Sequence, residues 1–439
     1  MQDRVVVGGG NAAHGGRYAR GGWGRMGVAA VTTVGAGAAW VVSSVRDLSR
    51  RVGLTGGRAV GDEFDVVVVG AGPAGAAAAL TARRAGASVL LLDRADFPRD
   101  KACGDGIAAH SVDVLAELGV TEAVAGYAPL PALRMIAPGG GAVARALPRP
   151  AYTVPREVFD ARLVAAAVAA GAQLRRHTVR QVEPRADRVV LDGQVSGRVV
   201  IGADGAGSVV RRALGHPQNP DRHLALAIRG YAPALPGPSE QLIVTSKARW
   251  PAYAWSFPIG DGRANVGYGE VLRGEPLSRA YLLDRLAALL PGTDLATVTA
   301  LRAHHLPLST HRPTPGRGRT LLAGDALSLI NPFTGEGIFY ALLSGALAGS
   351  AAARSPESAA GRYAHGLRHR LGTHLRHSSA AAWLARRRRV VDAAVRAARR
   401  DDRVFYDVVE LGLGDGRLTA RTLAMIGIGL GGGDGAPRQ

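Results

Sequence analysis

The stretch Gly70-Ala71-Gly72-Pro73-Ala74-Gly75 constrains this chain more than any other, because of what stands on either side of it. Before it, Phe64 to Val69 is a short β-branched run of the kind that forms a strand buried on both faces. After it, Ala74 to Ala85 carries a helical pattern that breaks at Gly86, and Ser88 to Asp93 gives a second strand. The whole is a β-α-β unit of about thirty residues. Within it Gly70 allows a tight turn, Gly72 lets the backbone approach a pyrophosphate, and Gly75 lets helix and strand pack closely. The helix N-terminus adds free N–H groups and a positive dipole end. Asp93, at the end of the second strand, is placed to accept hydrogen bonds from an adenosine ribose. These features predict a doubly wound, Rossmann-like α/β domain that binds a dinucleotide, and leave nicotinamide or flavin open.

Later segments extend the pattern. Val199 to Ala203 and Thr320 to Ala323 read as further buried strands, each followed by a carboxylate, Asp204 and Asp325. Both acids would stand at carboxyl ends of parallel strands, where open α/β sheets bind ligands. Asn331 to Ile338, with Gly335 and Gly337, is a Gly-rich turn into a helix. Its free N–H groups suit an electron-accepting carbonyl of a flavin ring. Arg156 to Ala170 is an amphipathic helix with Phe159, Leu163, Val164 and Val168 on its apolar side. Leu224 to Tyr231, Glu240 to Thr245, Tyr253 to Phe257 and Ala264 to Tyr268 are short runs separated by Pro and Gly, which predicts a mostly antiparallel sheet inserted over about 220–310. The expected organisation is an extension over 1–60, an α/β domain over 61–350 containing that insert, and a helical region over 351–439.

Composition narrows the function classes. The 60 glycines show no three-residue period, which excludes a collagen-like chain. Cys103 is the single cysteine, so an internal disulfide and a four-thiolate metal site are excluded, and a reducing cytoplasm is the expected compartment. The net charge is +19, but only Lys101 and Lys247 among the basic residues are lysines, and the excess collects at the two ends. That looks like the codon bias of a GC-rich genome, argues against a nucleic-acid partner, and leaves an anionic membrane surface or acidic substrate open. Residues 8–24 are Gly- and Arg-rich and read as disordered, and 27–45 is uncharged and long enough to span a bilayer but poor in Leu and Ile. His304, His305 and His311 lack metal-ligand spacing and read as solvated or structural, so no metal is expected. No second Gly-x-Gly-x-x-Gly is present to hold NADPH, so a nicotinamide donor would visit transiently or give way to a protein donor.

From about Phe64 to Ser350 the sequence resembles FAD-dependent enzymes of the para-hydroxybenzoate hydroxylase type of fold. Within that group it is most similar to the geranylgeranyl reductase family. The resemblance rests on Asp93 to Ile107, which contains Lys101-Ala102-Cys103-Gly104-Asp105-Gly106. It rests also on Tyr253-Ala254-Trp255-Ser256-Phe257-Pro258 followed by Asn265-Val266-Gly267-Tyr268-Gly269, and on the turn Pro332 to Ile338. It implies that Gly70, Gly72, Ala74 and Gly75 hold the FAD pyrophosphate and Asp93, with Arg94 beside it, the ribose; the family more often has Glu at that place. Arg156 would reach the phosphates and the Val179 backbone the adenine. Cys103, Gly104 and Gly106 would run beside the isoalloxazine ring, with Asp325, Gly337 and Ile338 completing its site. Cys103 is the candidate proton donor; its plainer reading is a small buried hydrophobe. Tyr253, Trp255 and Phe257 would line an apolar substrate tunnel, or else form core.

The implied activity is reduction of carbon–carbon double bonds in an isoprenoid substrate, of geranylgeranyl or prenyl-quinone type, by hydride transfer from reduced flavin. The alternative on the same fold is a monooxygenase that hydroxylates an aromatic or polyketide compound. A flavin halogenase is disfavoured, because that group carries two tryptophans and Ile-Pro where this chain has Trp255 and Phe257-Pro258. A third reading, from the basic helices between Arg362 and Arg403, is a membrane-surface protein that binds a prenyl lipid without turning it over. Those helices would also serve an enzyme that docks on the inner face of the membrane.

Overall fold

The structure, a computed structural model, describes residues 62–431. The extension expected over 1–60, including 27–45, lies outside the described residues.

The chain opens with β1 (Asp62–Val69), α1 (Pro73–Arg84) and β2 (Val89–Asp93), followed by β3 (Gly106–Ile107), α2 (Ala109–Glu117), β4 (Leu130–Ile136) and β5 (Ala142–Thr153). Next come α3 (Arg156–Ala169), β6 (Gln173–Arg176), β7 (Val182–Pro184), β8 (Val189–Leu191), β9 (Val195–Gly202) and α4 (Val209–Ala213). The third stretch holds β10 (Leu224–Pro233), β11 (Glu240–Thr245), β12 (Ala252–Pro258), β13 (Arg263–Val271), α5 (Arg279–Leu289) and β14 (Thr299–Pro307). After the hairpin β15 (Gly316–Arg317) and β16 (Thr320–Leu322), the rest is helical. Its helices are α6 (Ile338–Arg354), α7 (Ala359–Ala385), α8 (Arg388–Arg400), α9 (Asp402–Leu413) and α10 (Ala420–Gly431).

The first sheet has the order β15-β16-β9-β1-β2-β6, with β16, β9, β1, β2 and β6 all parallel. From β1 the chain winds outward through β2 and β6, and later from β9 through β16 on the other side. The order reverses beside β1, which opens the ligand crevice of a doubly wound sheet at the carboxyl end of that strand. Val66, Val67 and Val68 are fully buried there, as the β-branched run predicts. Over one face lie α1 and α6, pressed backbone to backbone. A Cβ added at Gly345 would stand 2.1 Å from the Ala74 carbonyl oxygen, and one at Gly349 2.2 Å from that of Ala78. The run of alanines in α1 is what permits so close a crossing.

The second sheet has the order β14-β10-β13-β12-β11-β4-β5-β3, antiparallel except where β11 meets β4. One face packs on α5 through Ile228, Ala254, Val266, Tyr268, Leu282 and Leu286. Strand alternation sends Tyr253, Trp255 and Phe257 to the opposite face, together with Asn265, Gly267 and Gly269.

The insert expected over about 220–310 is too narrow, since β3, β4 and β5 enter this sheet from residues 106–153. They escape the sequence reading because Ala-Val-Ala-Arg-Ala-Leu-Pro-Arg-Pro alternates small with charged side chains and holds no β-branched run. His304 and His305, expected in a Pro-rich connection, sit on the edge strand β14. At the far end, Val395, Ala398, Val404 and Phe405 of the C-terminal helices cover Leu133 and Val143 of β4 and β5.

Candidate active site

The crevice begins at Gly70, whose φ of +96° only glycine adopts readily. A Cβ there would meet the Ala203 carbonyl oxygen at 2.3 Å, so β1 and β9 close together without room for one. α1 starts at Gly72 with no side-chain cap and no acid in its first turn. Asp93 is buried; its Oδ2 accepts from the Ala71 N–H at 2.8 Å and its Oδ1 from Ala95 at 2.9 Å. Two guanidiniums face Gly72: Nη2 of Arg99 and of Arg156 lie 3.6 and 3.9 Å from where its Cβ would stand. Both are held by the fully buried Asp160, which accepts two bonds from Arg156 at 2.6 and 2.8 Å and lies 3.1 Å from Arg99. The uncapped helix end and two oriented guanidiniums complement the charge of a pyrophosphate.

From Gly72 a cavity of about 710 Å³ runs on between the two sheets. One wall is the loop from Lys101 to Gly106. Burial pushes the Lys101 ammonium below its usual pKa, against the pull of Asp325, whose Oδ2 is 4.0 Å away. Burial likewise pushes the Cys103 thiol up, although Arg156 stands nearby, so Cys103 is a thiol at neutral pH. The loop is fastened to the second sheet through Asp105, which has a left-handed φ of 59° and no solvent exposure. Its Oδ2 accepts from the Tyr231 hydroxyl at 2.6 Å and the Asn265 amide at 2.8 Å. That amide also donates to the Cys103 carbonyl, and its oxygen accepts from the Trp255 indole N–H, both at 2.8 Å. Burial raises the Asp105 carboxyl to about 6 even with these donors. A Cβ on Gly104 would lie 3.4 Å from the Trp255 indole nitrogen and 3.5 Å from the Phe257 ring.

The other wall is the turn Pro332 to Gly337 and the start of α6. Asp325, Gly335, Gly337 and Ile338 all line the cavity. The Tyr253 hydroxyl donates to the Thr334 carbonyl, and Thr334 Oγ1 donates to Gly412 of α9 at 2.5 Å. The turn is thus tied to the second sheet and to the C-terminal helices together. Glu336 lines the cavity too; its Oε1 accepts from the Phe339 N–H at 2.9 Å.

Of the residues expected at a flavin site, Gly72, Ala74, Cys103, Gly104, Gly106, Arg156, Asp325, Gly335, Gly337 and Ile338 line this one cavity, as do Tyr253, Trp255 and Phe257, expected to line a substrate tunnel. Gly70, Gly75 and Asp93 shape its floor. Arg94 points to solvent, and Arg99, five residues on, takes the inward position instead. The Asp204 carboxylate turns away and caps α4, accepting from Ser208 at 2.5 Å and from the Val209 N–H at 2.7 Å; only the flanking Ala203 and Gly205 line the cavity. Val179 packs in the main core just past the end of β6, beside the Asp93 end of β2. His304, expected to be solvated or structural, lines the cavity with its Nε2 buried and unpartnered; burial lowers its pKa to about 4, so the ring is neutral. Asp105, Asn265, Tyr231, Arg99 and Glu336 were not marked as site residues by sequence reading. Arg99, Asp105, Asn265 and Glu336 stand inside the quoted motifs, and that position is the signal the sequence carries for them. Among the described residues no group of three or more His, Cys, Asp or Glu side chains is placed to hold a metal.

Comparison with known proteins agrees with this geometry. Residues 63–343 match the FAD binding domain family. The chain is 36% identical over 312 residues to the menaquinone reductase of Mycolicibacterium smegmatis, covering 65% of this chain and 75% of that one. It is also 36% identical over 328 residues to digeranylgeranylglycerophospholipid reductase 1 of Methanopyrus kandleri, covering 67% and 82%. Among solved structures, a geranylgeranyl bacteriochlorophyll reductase-like protein from Thermoplasma acidophilum superposes with a TM-score of 0.70 at 21% identity, over 83% of this chain and 96% of that one, which speaks for the fold. FAD is the cofactor, and the chain belongs to the geranylgeranyl reductase family of FAD-dependent oxidoreductases.

Proposed function

We propose that this protein saturates carbon–carbon double bonds in the prenyl chain of a lipid or quinone. The observation that carries the reading is the composition of the cavity beyond the Cys103 loop. There it is lined by Tyr253, Trp255 and Phe257, by Ala225, Ala227, Leu306 and Val271, and by Trp250 and Trp383. Small residues on β10 and β13, Ala227 and Gly269, lie beside the aromatic row on the same sheet face and leave room there for a long apolar chain. The names of the relatives support the same substrate class.

In this reading Gly72 and the Arg99–Arg156 pair would hold the FAD pyrophosphate, Asp93 the ribose and the Val179 backbone the adenine. The Cys103 to Gly106 loop and the Asp325 to Ile338 wall would hold the isoalloxazine ring. Bound and reduced, FAD supplies the hydride. The protein's part is to orient the alkene on the aromatic row and to exclude water from it. NADPH would serve as a visiting donor. With NADPH and a menaquinone or geranylgeranyl lipid under nitrogen, the expected product is heavier by two hydrogens for each bond reduced. A product that forms only in air and carries an added oxygen would assign the monooxygenase chemistry instead.

A prenyl-lipid substrate would draw the protein to a membrane surface. Among the described residues no helix is long and apolar enough to cross a membrane. At the channel mouth, however, Trp383 is 59% exposed and the exposed Arg386 to Arg389 run follows it directly. An indole with guanidiniums beside it suits the headgroup layer of an anionic bilayer. Replacing Arg386, Arg387 and Arg389 by Ala should weaken binding to anionic vesicles by roughly 100-fold, at about 1 kcal/mol per arginine near the surface. Co-sedimentation at low and high salt checks this. Equal binding by variant and parent would show that the mouth does not face the bilayer.

A further inference from the structure

Saturating an alkene takes a proton as well as a hydride, and the groups lining the cavity differ in their fitness to hold one. Cys103 is a thiol that burial makes a poor acid. Asp105 is sealed under the loop by Tyr231 and Asn265 and does not line the cavity. His304 is neutral. Lys101 is engaged by Asp325, whose Oδ2 lies 4.0 Å from its Nζ.

We infer that Glu336 is the acid that protonates the alkene. Glu336 lines the cavity on the turn that Tyr253 of the aromatic row reaches: the Tyr253 hydroxyl donates to the Thr334 carbonyl, and a Cβ on Gly335 would lie 2.9 Å from it. The Phe339 N–H fixes Oε1, and the turn carrying Glu336 is clamped by Asn331, whose amide donates to the Leu411 carbonyl at 2.9 Å, and by Thr334. A carboxyl so held can present its second oxygen to a chain threaded along Tyr253 and Trp255. This assignment rests on the alkene-reductase reading.

In the step, hydride adds to one alkene carbon. A C–H bond forms at the other as the Glu336 O–H bond breaks, and the electron pair of that bond stays on the carboxylate. Water returns the proton after turnover. Burial raises the carboxyl to about 7, so a large share of it carries a proton at neutral pH. The groups facing it are Tyr253 from β12, Tyr340 with His374 behind it, and His110 from α2. His110 lies 2.9 Å from Glu410 and 3.6 Å from Asp415, and these carboxylates raise its pKa against the effect of burial. Because the acid works only while protonated, the rate should fall as pH rises through about 7.

The test is Glu336→Gln in the flavin-loaded protein, since glutamine keeps the size and the acceptor for Phe339. Flavin content and visible spectrum should match the parent. An infrared carboxyl band titrating near neutrality should vanish, and single-turnover reoxidation by a polyprenyl alkene should slow by at least about 100-fold, with KM unchanged and the alkaline limb gone. A parent protein inert to every prenyl substrate overturns the reductase reading and this inference with it. A parent that turns over while E336Q keeps both its rate and its alkaline limb overturns the inference alone. If E336Q fails to load flavin, Glu336→Asp decides: an alkaline limb displaced from the parent's supports the assignment, and an unchanged limb overturns it.

Discussion

Gly75→Ala is expected to yield a protein that no longer retains flavin. The added Cβ would stand 1.7 Å from the Gly70 carbonyl oxygen and 2.9 Å from the carbonyl carbon. Both are backbone atoms of the turn that shapes the pyrophosphate site, so no side chain can swing aside to make room. α1 must lift from β1, and with it goes the helix end that faces Arg99 and Arg156. Gly345 and Gly349 press on the same helix from the other side and leave it no slack. Flavin per chain, read from visible absorbance after gel filtration, should fall to background, and thermal stability should drop with it. Gly361→Ala is the control. It lies inside α7 with nothing within 4 Å of its added Cβ, and should gain up to about 1 kcal/mol from the better helix former. A yellow G75A protein of parental stability would contradict the packing described above.

Asp160→Asn should destabilise the flavin-free protein by about 3–5 kcal/mol, the usual result of removing one partner from a buried ion pair. Asp160 has no exposure and Arg156 only 5%, so water cannot replace the lost carboxylate. Arg99 loses the same partner and keeps only a 3.9 Å approach to Asp93. Adding FAD should recover part of the loss, because pyrophosphate oxygens would neutralise the two stranded guanidiniums. Denaturant titrations with and without FAD measure this. An equal deficit in both would place the arginines away from the phosphates.

Much of the fold is legible in the sequence because its signals are local. The β-branched run before Gly70, the three glycines and Asp93 lie within thirty residues of one another, and together they fix β1, α1 and β2. The aromatic alternation of Tyr253, Trp255 and Phe257 likewise shows which side chains share a face. What escapes is set by contacts far apart in the chain. Arg94 and Arg99 cannot be told apart until Asp160 is seen to draw the second one inward. Asp204 has the position of a ligand-facing acid, yet Ser208 and two helix amides claim its carboxylate. Asp105 reaches Asn265 and Tyr231 across more than a hundred residues, which no periodicity reports. The strands β4 and β5 are hidden by their alanine and arginine content, although their pairing with β11 extends the sheet that walls the channel.

The most direct test of the account is a single turnover without oxygen. The flavin-loaded protein is reduced with dithionite, freed of excess reductant, and mixed anaerobically with a geranylgeranyl lipid or a menaquinone while flavin absorbance is followed. The account predicts that the oxidised flavin spectrum returns and that the recovered lipid has gained two hydrogens across a carbon–carbon bond. A flavin that stays reduced with every prenyl substrate until air is admitted, and a product that then carries oxygen, would contradict it.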